Sequence, residues 1–275
     1  MFATVGGRRL HYEFRGSPQS PTLVMLRGFA RHSLHWGDIL EELERHFYMI
    51  LLDNRGLGRS DAVRYPFTVS DMADDVAAVM DAADVSRAHL LGSSLGGMVA
   101  LRFAVDHPGR LDRLVLVGTS AGGRGSPSPA LGAFAKMATA RLGPKRKAMQ
   151  LEVGLVLGAA YVAAHPEVVD AWCAIAERFP VPLRTLVFQG LAVRLHDVSR
   201  DLARIAAPSL VLSCRVDHII PPENSRLLAR GIPGAELAWL EGDAHDLTTS
   251  HARESAELVR EFLLRPVGAA GGRSS

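Results

Sequence analysis

Short apolar runs alternate with amphipathic stretches through the first 120 residues. Residues 10–14 are strand-like, and 22–26 (Thr-Leu-Val-Met-Leu) form a continuous apolar run that stops at Arg27-Gly28. Residues 47–52 form another such run, ending at Asp53, and 87–91 and 113–117 are two more. Apolar runs of this length without polar alternation belong to strands buried on both faces. Helical patterns lie between them: roughly 35–44, then from Ser70 to about Ala83, then from the turn after Leu91 to about Asp106. Ser70 reads as an N-cap, with Asp71, Asp74 and Asp75 near the positive end of the helix dipole. His107-Pro108-Gly109 stops the third helix. The alternation predicts an α/β fold with a parallel sheet covered on both faces.

The rhythm breaks at Gly118. Residues 119–129 are rich in Gly, Ser and Pro, and from about 130 to 195 the period is helical, with breaks at Gly143-Pro144, His165-Pro166 and Phe179-Pro180. The alternation resumes near Asp201: strand 209–213, helix 222–231, strand 236–240 and helix 250–264. The division this predicts is a core formed by 1–119 and 208–265, a helical insertion at 120–207, and a small, polar tail at 266–275 expected to be disordered.

Composition narrows the function. With 275 residues, 48% hydrophobic and 22% charged, the chain is long enough for a substantial core and is neither disordered nor a stapled miniprotein. Lys+Arg (31) nearly balances Asp+Glu (29), and Lys occurs only at 136, 145 and 147. No basic run is interleaved with aromatics, so a nucleic-acid partner is not expected. Cys173 and Cys214 have no metal or redox spacing. The first nine residues lack the order of a signal peptide, and the longest uncharged run, 153–164, is shorter than the ~20 residues of a membrane span. The expectation is a cytoplasmic protein without a membrane partner.

Gly92-Ser93-Ser94-Leu95-Gly96 has the form G-x-S-x-G, with a buried strand before it and a helix after it. That context gives the spacing its meaning. The chain leaves a strand and enters a helix in one tight turn, the small residues let the backbones approach, and the serine hydroxyl stands exposed at a helix N-terminus. Gly118-Thr119-Ser120-Ala121-Gly122 fits the same expression, but Gly123-Arg124-Gly125-Ser126-Pro127 follows and cannot open a helix. Ser94 is therefore the expected nucleophile. Gly56-x-Gly58 lacks the third glycine of a dinucleotide site, and no metal cluster or Walker loop is present.

With these elements the chain resembles the α/β-hydrolase superfamily over most of its length. Leu26-Arg27-Gly28-Phe29, with Trp36 downstream, is similar to the oxyanion loop after the third strand. Residues 53–61 (Asp-Asn-Arg-Gly-Leu-Gly-Arg-Ser-Asp) are similar to the family's D-x-R-G-x-G-x-S loop. The segments around Asp217 and His245 fall where the family keeps its acid and its histidine. The resemblance implies a mostly parallel eight-stranded sheet, with the helical insertion after the sixth strand acting as a cap. It points most closely to small bacterial esterases, enol-lactonases, C–C bond hydrolases and cofactor-free perhydrolases.

The family order Ser, acid, His assigns Ser94, Asp217 and His245. His218 and His251 are the weaker histidines, the first beside the acid and the second within the last helix. Asp243 and Asp246 flank His245 too closely to reach its ring and read as loop carboxylates. The resemblance places the oxyanion hole at the backbone N–H groups of Phe29 and Leu95. It implies no cofactor and no metal. Arg27 replaces the usual histidine before the loop glycine. It can pair with an anionic substrate group, but the plainer reading is a structural ion pair, with Asp53 as the partner at hand. Arg27, Phe29 and Trp172 are the expected substrate contacts, and Asp53 and Arg55 are expected to brace the loop beneath the site. Cleavage of a small, largely apolar ester or lactone through an acyl-enzyme is the leading expectation. C–C hydrolysis or perhydrolysis on the same residues, and a ligand receptor with a hydrolase-like pocket, are the alternatives. Dehalogenase and epoxide-hydrolase chemistry is disfavoured, because those enzymes use Asp where this chain has Ser94.

Overall fold

The computed structural model describes residues 1–127 and 144–266. Residues 128–143 of the predicted insertion, where its helical period was expected to begin, and 267–275 of the predicted tail lie outside the described residues. The strands are β1 (Phe2–Val5), β2 (Arg8–Arg15), β3 (Thr22–Leu26), β4 (Tyr48–Leu52), β5 (Ala88–Ser93), β6 (Leu111–Val117), β7 (Ser209–Cys214) and β8 (Glu236–Leu240). They form one sheet in the order β1-β2-β4-β3-β5-β6-β7-β8. β1–β2 and β2–β4 are antiparallel, and every pair from β4 to β8 is parallel. The fold is thus the mostly parallel eight-stranded α/β arrangement that the alternation and the resemblance implied. The pattern alone had not revealed β1. It is short, only Ala3 of its four residues is buried, and it joins β2 through a two-residue turn at Gly6-Gly7.

The apolar runs are continuous because successive side chains enter different cores. In β3, Val24 and Leu26 face one layer with Ile50, Leu90 and Leu114, whereas Leu23 and Met25 face the other with Met49, Leu91 and Val115. Helices α2 (Val69–Ala82) and α3 (Leu95–Asp106) cover the first face, while α1 (Ile39–Leu43) and, at the C-terminal end, α10 (Ala252–Leu263) cover the second. The helix expected at 35–44 is reduced to one 3-10 turn (Ser33–His35) and the five residues of α1, because the chain turns at Gly37 with φ +60°. The helix expected at 250–264 is α9 (Leu247–Ser250) followed by α10, interrupted where His251 leaves helical geometry (φ −128°, ψ 42°). Between β6 and β7 the described residues form α4 (Lys145–Leu157), α5 (Ala159–Ala164), α6 (Glu167–Arg178) and α7 (Leu183–Leu195), and α8 (Glu223–Gly231) follows β7. Among the described residues no helix is long and apolar enough to cross a membrane.

The N-cap of α2 differs from the expectation at Ser70. Thr68 is the cap: its hydroxyl accepts from Asp71 N–H (3.1 Å), and the Asp71 carboxylate accepts from Thr68 N–H (2.7 Å). The reciprocal pair satisfies donors that the first turn cannot bond internally. Ser70 instead lies one residue inside the helix and donates to Asp106 on α3. Thr68→Ala is therefore expected to lower stability by about 1 kcal/mol, and Ser70→Ala to stay within about 0.5 kcal/mol, both read from urea unfolding midpoints.

Candidate active site

Ser94 sits between β5 and α3 with φ 55° and ψ −121°, a backbone conformation that L-residues rarely adopt. The turn is held from below by Ser94 N–H donating to Val117 C=O (2.9 Å) and from the side by Thr119 Oγ1 donating to Ser94 C=O (2.7 Å). The small residues of the motif are a packing requirement. A Cβ on Gly92 would lie 2.3 Å from Gly96 C=O, and one on Gly96 would lie 2.1 Å from Leu26 C=O. Strand, helix and β3 thus meet at backbone distance, with the hydroxyl at the helix entrance. The second match to the motif is built differently. Ser120 is buried, donates to Asn224 Oδ1 (2.9 Å), accepts from Gly122 N–H (3.0 Å) and opens no helix.

His245 and Asp217, remote in sequence, converge on Ser94. His245 Nε2 lies 2.9 Å from Ser94 Oγ, and His245 Nδ1 lies 2.8 Å from Asp217 Oδ2. The other carboxylate oxygen, Oδ1, accepts from Ile219 N–H (2.7 Å) and Ile220 N–H (2.9 Å), which fixes the Asp217 rotamer. With the Nδ1 proton facing a carboxylate, neutral His245 presents a bare Nε2 to the serine hydroxyl. Burial by itself would lower the imidazole's pKa. The Asp217 carboxylate, through charge and hydrogen bond, and Asp246 behind it outweigh that, so His245 is held above the ordinary 6.5. The loop bearing the histidine is anchored by a helix end. Val156 C=O, in the last turn of α4 where carbonyls lack intrahelical partners, accepts from His245 N–H (2.8 Å) and Asp246 N–H (2.9 Å). His218 is exposed, and His251 stands at the N-terminal boundary of α10 with its ring meeting Ser250 Oγ at 2.8 Å.

The loop after β3 closes the site from the opposite side. A Cβ at Gly28 would stand 2.9 Å from Ser94 Cβ, so Phe29 follows directly from contact with the serine. Leu95 opens α3, where the first N–H groups point out of the helix without intrahelical partners.

Arg27 is paired, but not with Asp53. Its guanidinium is 2% exposed and bidentate on Asp246 (3.2 and 2.5 Å), donates to Thr248 Oγ1 (2.8 Å) and lies 4.6 Å from the Trp36 ring centroid. With these partners it is directed at the histidine loop. Asp246 correspondingly is no plain loop carboxylate. Burial would raise its pKa, yet Arg27 and Thr248 hold it below the ordinary 3.8. Local sequence gave no signal for this pair, because its members are 219 residues apart. Asp53 accepts from Ser33 N–H (2.9 Å) and from Arg59 N–H and Nε (both 3.0 Å), which ties the loops after β3 and β4 together, and Arg55 donates to Asp75 (2.5 Å), which ties the loop after β4 to α2. Trp172 is buried on α6, under the Arg31 guanidinium (4.4 Å) and edge-on to His35 (5.4 Å). A groove of about 590 Å³ opens between α4 and the loops after β7 and β8, lined by Lys147, Leu151, Leu155, His218 and Asp243 among others. Among the described residues no group of three or more His, Cys, Asp or Glu side chains is arranged to hold a metal ion.

This geometry, a serine at a strand–helix turn facing an imidazole and a carboxylate across a parallel sheet, defines a class, and comparison with known proteins agrees. A family model described as alpha/beta hydrolase fold matches residues 21–247, and the chain belongs to that family. It is 32% identical to the "Putative carbamate hydrolase RutD" of Caulobacter sp. (strain K31), over 94% of this chain and 97% of that one. Among solved structures it is similar to a hydrolase from Pseudomonas aeruginosa PA01 (30% identity, TM-score 0.84, covering 96% and 98% of the two chains). It is also similar to the enol-lactonase from Burkholderia xenovorans LB400 (26% identity, TM-score 0.83, covering 96% and 100%). The chain is a hydrolase of this family.

Breaking the Arg27–Asp246 pair on one side leaves a buried charge uncompensated. Asp246→Asn is expected to cost about 3–5 kcal/mol, and the double variant Arg27→Met/Asp246→Leu to recover most of it. A urea-unfolding double-mutant cycle built from Arg27→Met, Asp246→Leu and their combination that showed simple additivity would contradict this. Because the folded pKa of Asp246 is depressed, its contribution is whole above about pH 3.8 and is lost as pH falls through the lower folded value.

Proposed function

We propose that the chain is a serine hydrolase that cleaves carboxylic esters or lactones of small, largely apolar substrates through an acyl-enzyme. The observation that carries this reading is the unbroken line from Ser94 Oγ through His245 to Asp217, at 2.9 and 2.8 Å. Ser94 attacks the carbonyl carbon as its proton passes to His245 Nε2, and Asp217 steadies the imidazolium. The tetrahedral oxyanion is received by the Leu95 and Phe29 N–H groups. His245 returns the proton to the departing alkoxide, leaving acyl-Ser94 and an alcohol, which in a lactone stays tethered. Water, deprotonated by His245, then attacks the acyl group, and Ser94 leaves with the proton. The helices α4 to α7 between β6 and β7 serve as a cap over this centre, with Phe29 bordering the acyl group. The roughly 30% identity to RutD proteins supports a second reading, in which the same steps act on a carbamate carbonyl.

Release of p-nitrophenolate from acetyl and butyryl esters, set beside hydrolysis of lactones and carbamates, tests both readings. The best kcat/KM in the panel identifies the bond class. Ser94→Ala is expected to reduce turnover to background, and Asp217→Asn to lower kcat by roughly 10⁴. Undiminished turnover by Ser94→Ala would overturn the mechanism. Ligand-dependent stabilisation without turnover would instead mark a receptor.

His245 must be neutral to act as base. With its pKa raised, kcat/KM is expected to climb with pH along a limb centred above pH 6.5. Asp217→Asn removes the carboxylate that raises it, so residual activity should show that limb displaced toward lower pH.

A further inference from the structure

The loop after β3 is bonded from outside by side chains of the helical insertion. Ala30 has φ 57°, a left-handed conformation in a non-glycine residue, and its N–H donates to Gln189 Oε1 at 2.9 Å. Gln189 is completely buried on α7. A backbone N–H can only donate, so the Gln189 atom facing it is the carbonyl oxygen, which fixes the orientation of the amide. One turn earlier on the same helix face, Thr185 Oγ1 donates to Gly56 C=O (3.2 Å) in the loop after β4. The residue after Ala30 is held as well: Arg31 pairs with Glu152 of α4 (2.5 Å) and lies over the ring of Trp172 of α6. Helices α4, α6 and α7 therefore all grip the short segment that follows Phe29.

We infer that Gln189 is a positioning residue that fixes the Phe29 N–H for the oxyanion through its bond to Ala30, with Glu152–Arg31 as a second strut. The inference rests on the hydrolase reading above. The physical reason is leverage. Gly28 is locked against Ser94, which holds one end of the Gly28–Phe29 peptide that carries the Phe29 N–H; its other end, Phe29 Cα, is held by the next peptide, whose N–H is the one that Gln189 accepts. A left-handed alanine relaxes when its external bond is lost, and an oxyanion donor is useful only at hydrogen-bond distance from the transition-state oxygen. Hydroxyl, imidazole and carboxylate lie on other loops, so the nucleophile's activation is independent of Gln189.

The test compares Gln189→Met, which removes the acceptor at similar size, with Gln189→Glu, which keeps it. A carboxyl buried there stays protonated and still offers a carbonyl oxygen. On the best ester of the panel, Gln189→Met is expected to lower kcat by about 10- to 100-fold with KM little changed. It should weaken inhibition by phenylboronic acid, whose tetrahedral serine adduct needs the same donors, by a similar factor. Gln189→Glu should restore most of both. Glu152→Gln should lower kcat in the same sense and covers the case in which Gln189→Met does not fold. Wild-type kcat and boronate affinity in Gln189→Met and Glu152→Gln, with turnover still dependent on Ser94, would overturn this inference alone. Equal losses in Met and Glu, carried by KM, would overturn it by making the amide nitrogen a direct substrate contact. Turnover independent of Ser94 would overturn the hydrolase reading itself.

Discussion

The backbone of Ser94 is the constraint around which the molecule is arranged. A serine at φ 55° and ψ −121° is strained by something of order 1–3 kcal/mol. It persists because the surroundings leave it no alternative: its N–H is bonded to β6, its C=O to Thr119, and Gly92 and Gly96 admit no side chain between strand, helix and β3. A parallel sheet makes this arrangement available. Its strands all end on one edge, where loops can meet, and a buried strand feeding directly into a helix places a hydroxyl at the positive end of that helix.

Around that hydroxyl the buried charges are balanced in sequence. Asp217 stabilises a protonated His245 from one side. Asp246 adds to that effect, and its partner Arg27 opposes it by lowering the imidazole's pKa. The carboxylate that touches the ring therefore dominates, and the one beside it in sequence serves instead to bind the β3 loop. Arg27 thus couples the two loops on either side of Ser94 through a bidentate contact that a lysine would not reproduce. The Trp36 ring against its face compensates part of the burial.

The helical insertion is attached to the site and not merely stacked above it. Val156 C=O holds the histidine loop, Gln189 and Glu152 hold the loop after β3, and Thr185 holds the loop after β4. The histidines packed beneath it are kept neutral by burial. Burial lowers His32 to about 4 and holds His35 well below the ordinary 6.5, each with its ring edge-on to an aromatic of the insertion, Phe179 and Trp172 respectively.

Chain-local physics determined the strands β2 to β8 in outline, the strand–turn–helix at Ser94 and the rejection of Ser120. Each depends on neighbours a few residues apart: apolar continuity, a glycine pair around a serine, a sequence unable to begin a helix. The same locality failed at the margins, where β1 was too exposed to carry a signal and where Thr68, two residues upstream, took the cap assigned to Ser70. Family order pointed to Asp217 and His245, but only folding brought them to Ser94. Pairings set by three-dimensional packing were invisible in the chain. Arg27 had a plausible partner in Asp53, yet the buried carboxylate it meets is Asp246, 219 residues away. Nothing local marked Gln189, one of many polar residues on a helix, until α7 was laid against the loop after β3. Local sequence can specify what a backbone segment becomes; which buried donor meets which acceptor depends on how the segments are stacked, because a hydrogen bond is decided by distance and direction in space.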